Sequence, residues 1–263
     1  MRKRLKCRMQ GKVTRSPCRS GEGPLIGRGQ GEGVRLLSSR ARQPATECTS
    51  FWGRCLRGFR AAGIAIVALL ILGNGTIFAA TLVARAAGPD SDLKVPGVDN
   101  FEIVDEGLWR GGAPSAGGYR ALAAHDVKTV IDLRAEAGIP DERQALDRMG
   151  IELVRIPIRD GQAPASDQVS AFLDAVAASP GRVFVNCGAG VGRTGTMAAA
   201  YLWDSGSASP AEALMRNLAV GPPSLEQLFF VGGMGDGSFS APPAPVTALS
   251  RFLDAPRRLL VRF

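Results

Sequence analysis

Val183-Phe184-Val185-Asn186-Cys187-Gly188-Ala189-Gly190-Val191-Gly192-Arg193-Thr194-Gly195 decides how this chain is read. A short β-branched and aromatic run ends at a cysteine, glycines follow at 188, 190 and 192, and an Arg-Thr pair opens a predicted helix. Glycines at alternate positions let the backbone curl until successive N–H groups point at one anion, and the following helix adds its partly positive N-terminal end. Gly188, Ala189, Gly190, Val191, Gly192 and Arg193 are therefore the expected phosphate-binding residues. The thiol of Cys187 opens this cradle, a position that stabilises a thiolate and suits a nucleophile. Arg193 is spaced to fold back and fork two phosphate oxygens, a geometry lysine does not reproduce. Thr194 is placed to donate its hydroxyl to the sulfur. The plainer alternative is a buried cysteine at a strand end beside a Gly-rich turn.

Segments on either side alternate between strand and helix. Phe101-Glu102-Ile103-Val104 and Leu108-Trp109-Arg110 read as a short strand pair with Gly107 near the turn. Residues 115–125 read as a helix and 128–133 as a strand, and Pro140, Asp141 and Glu142 start a helix that Gly150 stops. Residues 151–156 form a second buried strand, and Val169, Phe172, Leu173, Val176 and Ala177 mark one apolar helix face. Val183, Phe184 and Val185 make the third strand, leading into the cradle. Past it, helices are expected over residues 194–205, 210–218 and 224–231. An exposed Gly/Pro/Ser-rich loop over 232–245, a short docking helix carrying Val246, Leu249, Phe252 and Leu253, and a solvated tail over 257–263 complete the chain. This order predicts an α/β fold, a central mainly parallel sheet flanked by helices, with ligands at the carboxyl ends of the strands.

Cys187, five residues, then Arg193-Thr194-Gly195 resembles the signature loop of the cysteine-dependent protein tyrosine and dual-specificity phosphatases. Gly107-Leu108-Trp109-Arg110-Gly111-Gly112-Ala113-Pro114 also resembles the aromatic-Arg-small-x-x-Pro run that opens compact members of that family. The resemblance implies a phosphotyrosine-phosphatase-like fold and phosphomonoester hydrolysis through a Cys187 phosphoenzyme, with no cofactor. That chemistry needs an acid that protonates the leaving oxygen and then activates water. Asp160, in Pro157-Ile158-Arg159-Asp160-Gly161-Gln162-Ala163-Pro164, lies just past a strand's carboxyl end in a stretch resembling the family's acid loop. An ordinary Asp-Gly turn is the bland alternative there, and Asp167 is a reserve whose position better suits a helix first turn. Asp132 and Arg134 resemble the family's Asp-Leu-Arg segment, with the Arg expected to brace the loop from below, and His125 reads as a surface helix end. One departure stands out: the family places His before the cysteine, and this chain has Asn186.

Charge divides the 263 residues. Residues 1–60 hold 15 Lys+Arg against 3 Asp+Glu, while the remainder holds 17 against 21, so the net +8 belongs to the N-terminal tail. A mildly acidic main domain argues against nucleic acid as partner. Cys7, Cys18, Cys48 and Cys55 lie in the tail without a metal-ligating spacing, and with a single His no metal site is expected. The tail, residues 1–60, reads as disordered and cytoplasmic, or as partly untranslated if translation starts downstream. Residues 61–84 carry no charge. As a helix they reach about 36 Å, against a bilayer core of about 30 Å. Arg54, Arg57 and Arg60 precede them, so the positive-inside rule predicts a single-pass signal-anchor with the N-terminus in the cytoplasm and the catalytic domain outside it. A cleaved signal peptide and a buried core helix are the alternatives. Residues 85–98 read as a Pro/Gly linker and 99–263 as the phosphatase domain.

The expected substrate is a phosphorylated protein or small molecule. Ala189 and Val191 stand where phosphoinositide-directed members often carry lysines, which favours singly phosphorylated groups on tyrosine, serine or threonine. A phosphorylated lipid, inositol or glycan is the rival. A phosphate-binding pseudophosphatase, suggested by Asn186, and a sulfur or arsenate transferase are readings of other classes.

Overall fold

The computed structural model describes residues 47–87, 93–136, 142–236 and 238–255, with side chains of the first helix described from 58 to 86. The chain divides into two compact units, Met1–Phe51 and Trp52–Phe263. The first is described only over 47–51, which are helical, and everything below concerns the second. Most of the expected tail, the expected helix start at Pro140 and Asp141, and the C-terminal tail over 257–263 fall outside the described residues.

Helix α1, Glu47–Ala87, begins inside the stretch expected to be disordered. Once a long apolar helix is nucleated, each further residue adds a hydrogen bond at little cost, so the helix grows back past the arginines. Its segment Gly58–Ala86 is long and apolar enough to cross a membrane. Ile64, Val67, Ile71, Leu72, Phe78 and Val83 are all exposed. At its end Thr81 and Ala84 are buried, and Arg85 Nε and Nη2 donate to the carbonyls of Ala219 and Val220 at 2.9 and 2.6 Å.

Among the described residues five strands form one sheet: β1 Glu102–Ile103, β2 Leu108–Gly112, β3 Val127–Arg134, β4 Glu152–Ile158 and β5 Arg182–Cys187. Their order is β1-β2-β5-β3-β4, parallel throughout except that β1 runs antiparallel to β2. Asp105 makes that hairpin, its Oδ1 accepting from the N–H groups of Gly107 and Leu108 at 2.8 and 2.7 Å. The strand expected to come third in the alternation thus lies in the centre of the sheet, where both faces are covered and an unbroken apolar run is what burial demands. Its pleat sends Val183 and Val185 to one face, with Ile131, Leu133 and Phe172, and Phe184 to the other, with Trp109, Leu122 and Val130.

Helices α2 (Ala116–Ala124) and α3 (Glu142–Arg148) cover the Phe184 face. The Val183 face is covered by α4 (Ser166–Ala178), α5 (Gly192–Asp204), α6 (Pro210–Val220) and α7 (Leu225–Gly233), and α8 (Ala244–Leu253) packs on α7. Ser115, Ser209 and Ser224 cap α2, α6 and α7 through side-chain oxygens, each accepting from an otherwise unpaired N–H of the first turn. Two expectations are corrected. Within the supposed linker, Val95 and Val98 are buried in the core with Trp109 and Tyr119, because β2 leaves an apolar face open there. Within the supposed exposed loop after α7, Met234 is fully buried in a 3₁₀ turn, Met234–Asp236, and Phe239 meets Trp203 edge to face at 5.2 Å.

Phe184 is fully buried in the central strand. Phe184→Ala is expected to cost about 3–5 kcal/mol and to lower Tm by on the order of 10 °C, read by circular dichroism on the full-length chain in detergent micelles.

Candidate active site

Parallel pairing with β2 and β3 carries Cys187 to the carboxyl edge of the sheet, opposite Gly112 and one residue past the Asn186–Asp132 pair. The chain then turns through Gly190 at φ 75°, and the Gly190 N–H returns to Cys187 Sγ at 3.3 Å. A Cβ on Gly190 would meet the backbone of Gly111 and Gly112, so only glycine allows the turn to lie on β2.

Four successive carbonyls of this turn are held, three by groups elsewhere in the chain and the fourth by the first bond of α5 together with Arg110 Nη2 at 3.3 Å. Gly188 O accepts from Ala113 N–H at 3.0 Å, Ala189 O from Asn100 Nδ2 at 2.9 Å, Gly190 O from Arg110 Nη2 at 2.9 Å, and Val191 O from Gly195 N–H at 3.0 Å. In a trans peptide the N–H points opposite to the C=O. Tying the carbonyls outward therefore turns the N–H groups of residues 189–192 inward, which makes the anion nest. Helix α5 begins at Gly192 and aims its positive end at the same point. The Gly195 of the Arg-Thr-Gly ending is needed because the Asn217 side chain of α6 fills the space a Cβ would take.

Arg193 is 4% exposed and folds back under the cradle. Nη1 donates to Glu136 Oε2 at 2.8 Å and to Ile158 O at 3.0 Å, and Nη2 lies 3.2 Å from Asp160 Oδ1. Its Nε is buried without a hydrogen-bond partner. Burial pulls this guanidinium down, but the Glu136 hydrogen bond and the neighbouring Cys187 and Asp160 outweigh it and hold Arg193 above its ordinary value. Glu136 in turn sits below its ordinary value: burial raises it, but the Arg193 hydrogen bond, a backbone hydrogen bond and the charges of Arg193 and Arg134 together outweigh that.

Asp160 stands in the turn after β4, 71% exposed at its carboxylate, on the same edge as Cys187 and in contact with Arg193. Asp167 lies in the first turn of α4, exposed, with Oδ1 accepting from Gln168 N–H. Other expectations fare differently. Thr194 is fully buried, yet its Oγ1 has no partner and does not reach the sulfur, which takes the Gly190 N–H instead. Arg134 braces the cradle only indirectly. It pairs with Asp132 at 2.8 Å and with Glu142 at 2.9 Å, and Asn186 Nδ2 donates to Asp132 Oδ1 at 3.4 Å. Among the described residues no group of three His, Cys, Asp or Glu is gathered to hold a metal ion.

Asn100, Arg110 and Glu136 were given no role by sequence reasoning. Arg110 stands in the run compared above with the compact phosphatases, and Asn100 has a left-handed φ of 51° that asparagine tolerates. Nothing in Ala135-Glu136-Ala137 distinguishes its carboxylate from a solvated one. Burial lowers the Arg110 guanidinium below its usual range against the opposing pull of Glu102, whose Oε2 lies 3.4 Å away.

A family model described as DSP-PTPase phosphatase fused to NAD+ kinase matches residues 99–232, about half of the chain. The chain belongs to this family. Over 116 residues it is 31% identical to probable NAD kinase 2, chloroplastic, of Oryza sativa subsp. japonica, covering 41% of this chain and 11% of that one. Over 107 residues it is 36% identical to NAD kinase 2, chloroplastic, of Arabidopsis thaliana, covering 38% of this chain and 11% of that one. The chain thus spans about a tenth of the length of these curated relatives. Among solved structures, Tk-PTP in the active form is similar with a TM-score of 0.48 and 23% identity over 54% of this chain and 99% of that chain. By its family, the described sheet edge belongs to a DSP-PTPase phosphatase domain.

Arg110→Met removes the donor of two cradle carbonyls and leaves Glu102 unpaired. It is expected to destabilise by about 3–5 kcal/mol, measured by urea unfolding. Because Glu136 is depressed in the folded chain, its pairing contributes stability above the unfolded carboxylate value and loses it as pH falls through the lower folded value. The Tm difference between the native chain and Glu136→Gln is expected to stay constant from neutral pH down to the carboxylate range and then vanish, as read in a pH series of thermal melts.

Proposed function

We propose that this domain hydrolyses phosphomonoesters in two steps. Cys187 Sγ attacks phosphorus, the S–P bond forms as the ester P–O bond breaks, and Asp160 gives its proton to the leaving oxygen. The Asp160 carboxylate then takes a proton from water, whose oxygen attacks phosphorus. The S–P bond breaks, releasing phosphate and the thiolate. Charge developing on the phosphoryl oxygens is met by the cradle amides, the α5 end and Arg193.

The observation that supports this reading best is the Arg193 Nε, a cationic donor buried beside the outward-tied cradle with no partner of its own. Burying an unsatisfied donor of this kind is costly, and a bound phosphate oxygen removes the cost. Thr194 Oγ1, equally buried and unpartnered, is assigned to the leaving thiolate once phosphate is in place.

Substrate choice follows from charge. Ala189 and Val191 add no cation to the cradle, and the groups beside Arg193 are the carboxylates of Glu136 and Asp160. A substrate with a second phosphate close to the first is repelled there, so a singly phosphorylated protein side chain is favoured over a polyphosphorylated inositol. The domain division proposed is a tail over 1–60, a membrane span over 61–84, a connecting segment over 85–98 whose last residues, Val95 and Val98, pack into the domain core, and the phosphatase domain over 99–263. The large exposed apolar surface of α1 supports a single-pass anchor. The Arg54, Arg57 and Arg60 flank supports a cytoplasmic N-terminus and an outside domain.

Full-length protein in detergent micelles and reducing buffer is expected to turn over p-nitrophenyl phosphate, Cys187→Ser to lose all of it, and Asp160→Asn to lose roughly 10²-fold or more in turnover of phenyl phosphate, whose leaving oxygen needs the proton. Turnover no greater than the Cys187→Ser control, with phosphate still bound in calorimetry, would establish the binding-only reading instead. For topology, a C-terminal reporter that folds only outside the cytoplasm is expected to be active, and an expressed but silent fusion would reverse the orientation.

A further inference from the structure

The loop that carries Asp160 is gripped by one turn of another element. Ser224 Oγ donates to Gly161 O at 2.8 Å, Gln227 Nε2 donates to Gln162 O at 3.1 Å, and Glu226 Oε1 accepts from Ala163 N–H at 3.1 Å. Three consecutive loop residues thus each bond a different side chain at the start of α7. The same turn touches the cradle, because the Gln227 amide fills the space a Cβ on Gly192 would need. The α7 N-terminus is therefore a spacer that sets where the loop stands relative to the nucleophile's cradle.

Glu226 is the unexpected member. An acidic residue in a helix first turn is ordinary when it faces water. Here it is 5% exposed, Oε2 makes no hydrogen bond, and the nearest cation, Arg251 Nε, is 3.9 Å away. Capping does not call for it, since Ser224 and Gln227 already form the capping box of α7. Its own N–H is taken by Ser250 Oγ of α8 at 3.0 Å, with Ser250 fully buried, which ties the turn to α8 as well. Besides that long contact to a half-exposed Arg251, the Ala163 N–H is what the carboxylate binds, at 3.1 Å.

We propose that Glu226 is a positioning residue for the general acid. It fixes the Gly161–Ala163 segment through the Ala163 amide, and so holds Asp160 against Arg193 above the cradle. This rests on the reading of Asp160 as the acid that protonates the leaving oxygen. A loop released from Glu226 still binds phosphate, because no cradle group has moved, but it delivers the proton poorly. The loss must therefore depend on how much the leaving group needs that proton.

The test compares full-length native chain, Glu226→Ala, Glu226→Asp, Asp160→Asn and the Glu226→Ala/Asp160→Asn pair on two substrates. The p-nitrophenolate of p-nitrophenyl phosphate leaves readily unprotonated, and the phenolate of phenyl phosphate does not. Glu226→Ala is expected to lose about ten-fold in kcat/KM on phenyl phosphate and under about two-fold on p-nitrophenyl phosphate, kcat/KM reporting the step in which the leaving oxygen departs, with the affinity for inorganic phosphate unchanged. Glu226→Asp keeps the buried charge but draws it back from Ala163, and is expected to show the same selective loss. In the Asp160→Asn background the Glu226→Ala effect is expected to disappear, as it must if both act through one proton. Equal losses on the two substrates, no loss, or a loss that persists in the Asp160→Asn background would overturn the proposal while leaving the acid reading intact. An Asp160→Asn variant that does not itself discriminate between the substrates would overturn the acid reading, and the proposal with it.

Discussion

Everything at this site depends on which way four peptide carbonyls point. The backbone from Gly188 to Val191 has no intrinsic reason to turn its N–H groups toward one point, since parallel dipoles repel and water is the easier partner. The turn is held by bonds on its far side, from Ala113, Asn100, Arg110 and Gly195 to each carbonyl in order. Arg110 matters most, because it is fully buried, charged, and reaches Gly190 O while its other nitrogen faces Glu102. The approach of Gly190 to the backbone of Gly111 and Gly112 makes this possible, and explains why glycine is required in the turn where it lies on the end of β2.

Charge behind the cradle is arranged in the same way, by pairing rather than by exposure. Asp132 is fully buried and is faced by Arg134 at 2.8 Å, by Arg155 at 3.5 Å and by the Asn186 amide. Glu142 extends the network to the Tyr119 hydroxyl at 2.7 Å, and burial together with that carboxylate raises Tyr119 well above the ordinary phenol range. Asn186 joins this network as a neutral donor across the β3–β5 ladder. It supports the strand that delivers the nucleophile, where the resembled family has an ionisable ring.

Much of this was legible in the residues. The alternation of apolar runs with helical stretches predicted β1–β5 and α2–α8 to within a few residues, because burial on both faces of a parallel strand leaves a continuous apolar signature. Cys187, the glycines, Arg193 and Asp160 were legible because their chemistry is local: a strand end, a Gly-rich turn, an acid after another strand. Asn100, Arg110, Glu136 and Glu226 were not, because each lies far along the chain from its partner. An asparagine before a strand or a glutamate in a first helical turn looks the same whether it faces water or a loop. The linker ending in Val95 and Val98 was misread for a related reason: two valines among Pro and Gly carry no periodicity, and only the open face of β2 and α2 makes them core.

The sequence by itself determined the chemistry this chain carries: a thiol at the mouth of a glycine turn, an arginine six positions on, an acid within reach of the same sheet edge, and an uncharged run long enough to span a bilayer. Those are properties of residue type and near spacing, and they survive without coordinates. Only the tertiary structure decided what orients that chemistry. It put β5 in the middle of the sheet, brought Arg110 and Asn100 beneath the cradle, set Glu136 and Asp160 on the two terminal nitrogens of one guanidinium, and laid the start of α7 between cradle and acid loop. Hydrogen bonds between residues tens of positions apart have no trace in local pattern, since they are specified by where the sheet order brings the strands together.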